Sequence, residues 1–249
     1  MIQHRYSLHT AYVLIVFFLL FAAYPAKASE KISVGHFSTA NPNDGLPEHW
    51  TPLTFKDIDK HTVYSLVSDS EITVIEADSN GSSSGLTRQI DIDPQEYPVI
   101  SWRWKIANIY QKGDVSQKSG DDYPARIYIT FAYDPEKVGF WDKVKFNSIK
   151  LFYGEYPPIN AINYIWASKA PKSLTTPNPY TDRVKMIVIE SGNDQVQEWI
   201  SEKRNILQDY REAFGEDPPH ISGVAIMTDS DNTGEAAKAW YGDIIFSRQ

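Results

Sequence analysis

Two short acidic runs, each beside an apolar stretch, carry the densest candidate chemistry in the chain. The first is Thr228-Asp229-Ser230-Asp231-Asn232-Thr233-Gly234. Alternate Asp, Asp and Thr oxygens ahead of a Gly can curl around a hard cation such as calcium. A helix–loop–helix calcium site needs a carboxylate at its twelfth position, where this chain has Trp240, so that family is excluded. Asp-x-Asp-x-Thr after a strand also opens phosphatases that form an aspartyl-phosphate. Those need later strands with further Lys and acidic groups, and only 16 residues follow Thr233. Two readings stand: a calcium or ligand loop, or an Asp/Asn-rich turn held by its own side chains.

The second run is Gly120-Asp121-Asp122, with Arg126 four residues beyond Asp122. Neighbouring carboxylates entering a strand can bind a cation or share a proton. Arg126 can clamp a ligand's carboxylate or phosphate in a fork, or pair internally with one Asp. If Asp121 and Asp122 meet Asp229 and Asp231 in space, a shared site follows. A third charged set is Glu202, Arg204, Asn205, Asp209 and Arg211, where the separation of Arg204 from Asp209 does not suit a helix face.

Other catalytic kits are missing. The chain has no Cys, which excludes thiol nucleophiles, thiolate metal sites and disulfides. Its His residues are isolated, and no Gly-x-Ser-x-Gly elbow or phosphate-binding Gly loop occurs. Paired carboxylates, as in glycoside cleavage, are the one catalytic option left. Among the aromatics, Trp102 and Trp104 fall on the apolar side of an alternating run. Trp50, Tyr128, Trp166 and Trp240 are freer to stack on a sugar ring.

Elements that position these groups read mainly as strands. Alternation with one apolar face marks residues 62–67, 71–77, 85–92, 100–106, 126–131, 163–166, 184–190, 221–228 and 241–246. Many short strands at modest spacing predict an all-β fold, an antiparallel β-sandwich of jelly-roll or galactose-binding-like type. Val196, Trp199, Ile200, Ile206, Leu207, Tyr210 and Phe214 recur near helical spacing, with Asn193 to cap and Gly215 to stop. They predict one amphipathic helix over 195–214. Residues 110–123 and 170–180 read as loops, the first of them exposed.

The first 28 residues have a basic start, an apolar run from Ala11 to Tyr24, Pro25, and Ala26-Lys27-Ala28. That order predicts a secretory signal peptide cleaved after Ala28. The apolar run is too short for the ~20 residues of a membrane span. Removal of this segment leaves residues 29–249 as one domain and takes the formal charge from −8 to −10, because Arg5 and Lys27 leave with no acid. An acidic body disfavours nucleic acid and anionic membranes as partners. Periplasm or secretion is the expected location, without membrane insertion once the signal is gone. The oligomeric state is left open.

Taken in order, Ser101-Trp102-Arg103-Trp104, Gly120-Asp121-Asp122 with Ala125-Arg126, and Asn163-Tyr164-Ile165-Trp166-Ala167 form a recognisable series. Arg204-Asn205, Asp209-Tyr210, Ala213-Phe214-Gly215, Met227 to Thr233 and Ala239-Trp240-Tyr241-Gly242-Asp243-Ile244 continue it. The series resembles an exported bacterial family known as domain of unknown function 3047. That resemblance implies a bacterial envelope protein and carries no reaction with it. At the level of fold the chain is also similar to jelly-roll carbohydrate-binding modules, whose last strand often holds an Asp at a structural calcium; that likeness points to Asp243.

The resulting expectation is a non-enzymatic module binding a glycan or other polar ligand. Asp121, Asp122, Arg126, Asp229, Asp231 and Asn232 would form its site, with Trp166 or Trp240 as a stacking wall. Asp229, Asp231 and Asp243 are the candidate calcium ligands. The alternatives are a carboxylate-dependent enzyme on envelope polysaccharide and a structural or partner-binding envelope protein.

Overall fold

A computed structural model describes residues 31–134 and 158–249 of the chain. The expected signal segment, residues 1–28, lies outside them. Two seven-stranded sheets face each other. The first contains β1 (Lys31–Gly35), β3 (Val63–Asp69), β4 (Ile72–Asn80), β6 (Val99–Ile106), β11 (Ile200–Asn205), β13 (Ala236–Tyr241) and β14 (Ile244–Ser247). The second runs β2 (Thr51–Leu53), β5 (Gly85–Ile92), β12 (Ile221–Met227), β7 (Arg126–Phe131), β8 (Ala161–Ala167), β10 (Thr181–Ser191) and β9 (Thr175–Asn178).

Alternation decides which side chains meet between the sheets. Trp102 and Trp104 of β6 face Tyr164 and Trp166 of β8, with ring centroids 5.3 Å apart for Trp102–Tyr164 and 5.9 Å for Trp104–Trp166. All four rings are buried. Each such burial stabilises the fold by roughly 1.5–3 kcal/mol before ordering entropy is counted. A second, smaller cluster of Tyr123, Ile165, Ala167, Met186 and Val188 forms on the outer face of β8 and β10, with Val115 and Leu174 packed against it.

The structure departs from the sequence reading at several points: β1 and β2 lie outside the expected strands, β9 lies inside the expected loop 170–180, and three further differences bear on the site. First, the sandwich is not wholly antiparallel: β8 and β10 are parallel neighbours. The chain leaves β8, crosses to form β9 beyond β10, and turns back, so β10 returns in the direction of β8. Second, the predicted helix over 195–214 is helical only in its last part. β11 pairs with β6 from Ile200↔Trp104 to Asn205↔Val99 and closes an otherwise open edge. The helix α1 spans only Ile206–Phe214, capped by the Asn205 side chain accepting from the Gln208 N–H at 3.0 Å and stopped at Gly215 with φ 77°. Arg204 and Asp209 therefore sit on different elements. They pair with each other, while Asp209 also accepts from the Tyr164 hydroxyl at 2.7 Å. Third, the loop 110–123 is exposed only in its middle. Tyr110 and Tyr123 are buried at its ends, as are Asp121 and Asp122.

Candidate functional site

Antiparallel register brings the two acidic runs together. β7 begins at Arg126, β12 ends at Met227, and these two residues are partners across the ladder. Whatever precedes β7 must then lie beside whatever follows β12. Asp121 and Asp122 come from the first side, Asp229, Asp231 and Asn232 from the second.

The acids take separate duties. The Asp122 carboxylate accepts from the Asn232 N–H at 3.3 Å, the Asn232 side-chain amide at 3.2 Å and the Thr233 N–H at 2.6 Å, so it staples the 228–234 loop. That loop is pinned from another side as well: the Ser230 N–H donates to the Ser82 carbonyl at 2.8 Å, and its hydroxyl meets that of Ser79 at 2.8 Å. It is thus held mainly by groups distant in sequence rather than by its own side chains. Asp122, Asp229 and Asp231 each place a carboxylate oxygen within 4.8 Å of the others, the spacing of a cation site.

Arg126 lies on the outer face of β7, because Ile127 and Ile129 take the inner one. It is 4% exposed and pairs through Nη2 with Asp229, which is 1% exposed. The rings of Tyr123 and Tyr128 lie 5.2 and 5.3 Å from the guanidinium carbon. Among the described residues Nε and Nη1 have no hydrogen-bond partner. Asp121, 5% exposed, accepts from the Asn178 amide at 2.8 Å through Oδ2; its Oδ1 has no well-aligned hydrogen-bond partner among the described residues, although the Tyr123 hydroxyl approaches the carboxylate. The Tyr123 hydroxyl nearby donates to the Met186 sulfur at 3.2 Å.

Electrostatics follow from crowding. Burial raises Asp229 well above the usual carboxylate range. Arg126 pulls it down in part, and Asp122, Asp121 and Asp231 push it up again. Burial also raises Asp121 and Asp231. For Arg126, burial opposes the charge, but Asp229, Tyr128 and Asp121 outweigh it and hold the guanidinium protonated. Burial pushes the Tyr128 phenol up to about 12, so it stays a hydrogen-bond donor.

Asp121, Arg126, Tyr128, Asp229 and Asp231 line a cavity of about 630 Å³, together with Phe55, Asn178 and Tyr180. A second cavity of about 670 Å³ spreads over the outer faces of β5, β12 and β7 and shares Phe55, Tyr128 and Met227 with the first. The two form one trough. Its floor is kept low by Gly223 and Ala225. A Cβ at Gly223 would stand 2.9 Å from the Thr130 hydroxyl oxygen. Thr87, Gln89, Thr130 and Ser222 supply polar groups along it. Among the large hydrophobic side chains exposed in the described residues, Phe55 (37%) and Tyr180 (55%) both border this trough.

Six expected site residues meet there or in the adjoining loop: Asp121, Asp122, Arg126, Asp229, Asp231 and Asn232. Three expected residues do not. Trp166 points between the sheets against Trp104 and is fully buried, so it cannot be a stacking wall. Trp240 lies on the outer face of the other sheet, its indole N–H donating to Glu76 at 2.9 Å and its ring under the Lys105 ammonium at 4.6 Å. Trp199, with Arg103 stacked at 4.4 Å, belongs to that same surface. Asp243 follows β13, whose last residue Tyr241 reaches Thr228 and Met227 with its hydroxyl, but Asp243 is not among the clustered carboxylates. Its carboxylate accepts from the Ser38 N–H at 2.8 Å and the Ser38 hydroxyl at 2.5 Å. In the carboxylate cluster, Asp122 stands where Asp243 was expected. Phe55, Asn178 and Tyr180 carried no local signal beyond being aromatic or polar residues in turn-rich segments.

The sequence model of a family described as a protein of unknown function (DUF3047) matches residues 48–245. The chain belongs to this family. No curated protein sequence matches it. Solved structures are similar to it at low identity. The family 11 carbohydrate-binding module of a cellulosomal cellulase of Clostridium thermocellum is 10% identical, with TM-score 0.41, 88% of this chain and 95% of that one covered. The CBM22-1 xylan-binding domain from Paenibacillus barcinonensis is 12% identical, with TM-score 0.37 and coverages of 90% and 98%. Trichoderma harzianum endoglucanase 3, from family GH12, is 8% identical, with TM-score 0.39 and coverages of 88% and 96%. Binding modules and a hydrolase stand at the same level of likeness, so nothing about function follows from it.

Proposed function

We propose that this DUF3047 protein is an exported, non-catalytic module that binds a carbohydrate chain along the trough on the outer face of β5, β12 and β7. The observation that carries this reading is the make-up of the trough. It has a low floor of small residues, hydroxyl and amide groups at intervals, and two exposed aromatic rings, Phe55 and Tyr180, at its acidic end. A sugar ring has an apolar face and an equatorial rim of hydroxyls, and a trough of this kind meets both. The basic start, the apolar run from Ala11 to Tyr24 and the Ala26-Lys27-Ala28 site support export with cleavage before Ser29. Intact-mass analysis of protein recovered from the periplasm would give a chain starting at Ser29; retention of the first 28 residues would refute the cleavage.

Array binding over neutral and acidic oligosaccharides, followed by calorimetric titration of the best neutral hit, tests the binding. Phe55→Ala and Tyr180→Ala should each weaken it at least tenfold without lowering the melting temperature by more than a few degrees. Turnover of the same oligosaccharides, read as new reducing ends, is expected to be nil.

A second reading is favoured by the carboxylate spacing. Asp122, Asp229 and Asp231 would hold a hard divalent cation. Much of their oxygen capacity is already used by N–H donors and by Arg126, so the site would be weak. Calcium at millimolar concentration should raise the melting temperature of the wild type, and Asp231→Ala should abolish the rise.

A further inference from the structure

We infer that Asp121 and Arg126 together form a donor–acceptor pair that reads a vicinal diol of a neutral sugar at the acidic end of the trough. This deepens the carbohydrate-binding reading above and rests on it.

Both side chains are more than nine-tenths buried, both line the cavity, and both keep hydrogen-bonding capacity that the described residues leave unused. The Arg126 Nε and Nη1 bear three N–H donors. Asp121 Oδ1 is an acceptor. A buried polar atom without a partner is costly, so three of them beside one cavity invite an occupant. The occupant must accept from one group and donate to the other. A sugar hydroxyl does both, and two on adjacent carbons present an acceptor to Arg126 and a donor to Asp121 within one ring.

Geometry already holds the pair in place. Asn178 fixes the other Asp121 oxygen, Asp229 fixes Nη2 of Arg126, and the rings of Tyr123 and Tyr128 flank the guanidinium. These contacts orient both groups in advance, which lowers the ordering cost of binding; the unpartnered atoms are themselves closed off from solvent, so a ligand reaches them as the side chains around them give way. A carboxylate ligand would use only the donors and leave Asp121 Oδ1 facing an anion. It would also enter a cavity lined by Asp57, Asp229 and Asp231 as well, against Lys56 and an Arg126 already paired. Like charges at that distance disfavour it. The pair therefore selects neutral sugars over uronic acids.

The probes are neutral gluco-, xylo- and manno-oligosaccharides and an oligogalacturonate of matched length, titrated calorimetrically into the full protein. The expected result is binding of at least one neutral series, tenfold or greater weakening by Asp121→Ala, and a smaller loss with Asn178→Ala, which only frees the second oxygen. Asp121→Asn keeps size and guards against a folding artefact; it should weaken binding with an unchanged melting curve. Neutral binding that ignores all three substitutions, or oligogalacturonate binding tighter than every neutral probe, overturns the diol assignment while leaving the trough as a carbohydrate site. Binding of no probe by the wild type removes the carbohydrate reading and this inference with it.

Discussion

Arg126 and Asp229 are buried against each other at the neighbouring ends of β7 and β12, and one guanidinium nitrogen, Nη2, makes their ion pair. Breaking a buried pair from one side strands a charge, which costs about 3–5 kcal/mol. Asp229→Ala should lower unfolding free energy in urea by that amount. The double variant Arg126→Met with Asp229→Leu should lose less than the sum of the single changes. Full additivity would show that the two residues do not act as a pair.

Glu202 supplies a pH dependence. Burial raises its carboxyl to about 7, and the neighbouring Glu190 adds to the rise. The folded state thus binds this proton more tightly than the unfolded chain, where the group titrates near the model value of 4.5. Its stabilising contribution is complete below about pH 4.5 and disappears as pH rises through about 7. Urea midpoints measured from pH 5 to pH 8 should fall for the wild type and fall less for Glu202→Gln. Parallel profiles would contradict this.

The strand-to-helix junction at Asn205 makes a local test. Asn205→Ala removes the cap on the Gln208 N–H and should cost about 1 kcal/mol. Gly215→Ala, at φ 77°, should cost a similar ~1 kcal/mol for a side chain in the left-handed region. Both are read as shifts of the urea midpoint at constant slope. A loss of slope with Asn205→Ala would mean that β11 detaches from β6 as well.

The two misplaced tryptophans separate stability from binding. Trp166→Ala empties a fully buried site and should destabilise by about 3–5 kcal/mol. Trp240→Ala on the outer face of the other sheet should cost much less and leave oligosaccharide titrations unchanged.

How far the sequence carried differs by element. β6 and β7 alternate cleanly because each has one face on the core, and those strands were legible. Residues 195–214 satisfied a helical spacing. The competing term was tertiary: β6 had a free edge, and pairing with Ile200–Asn205 satisfies its backbone groups. No local pattern encodes that. Of the site, the acidic runs and Arg126 were legible by type. Their convergence depended on the Arg126↔Met227 register, which is a long-range fact. Asp243 was misplaced because its carboxylate is taken by Ser38, a partner 205 positions away that no local pattern announces. Phe55 and Tyr180 were overlooked because an isolated loop aromatic has no signature until a cavity forms beside it.

The central claim is that the trough on the outer face of β5, β12 and β7 is where ligand binds. The most direct measurement is a calorimetric comparison of wild type, Phe55→Ala, Tyr180→Ala and Trp240→Ala against the best neutral oligosaccharide from the array. The account predicts at least tenfold weaker binding for the first two variants and wild-type affinity for Trp240→Ala. Unchanged affinity in both trough variants, or a loss confined to Trp240→Ala, would contradict it.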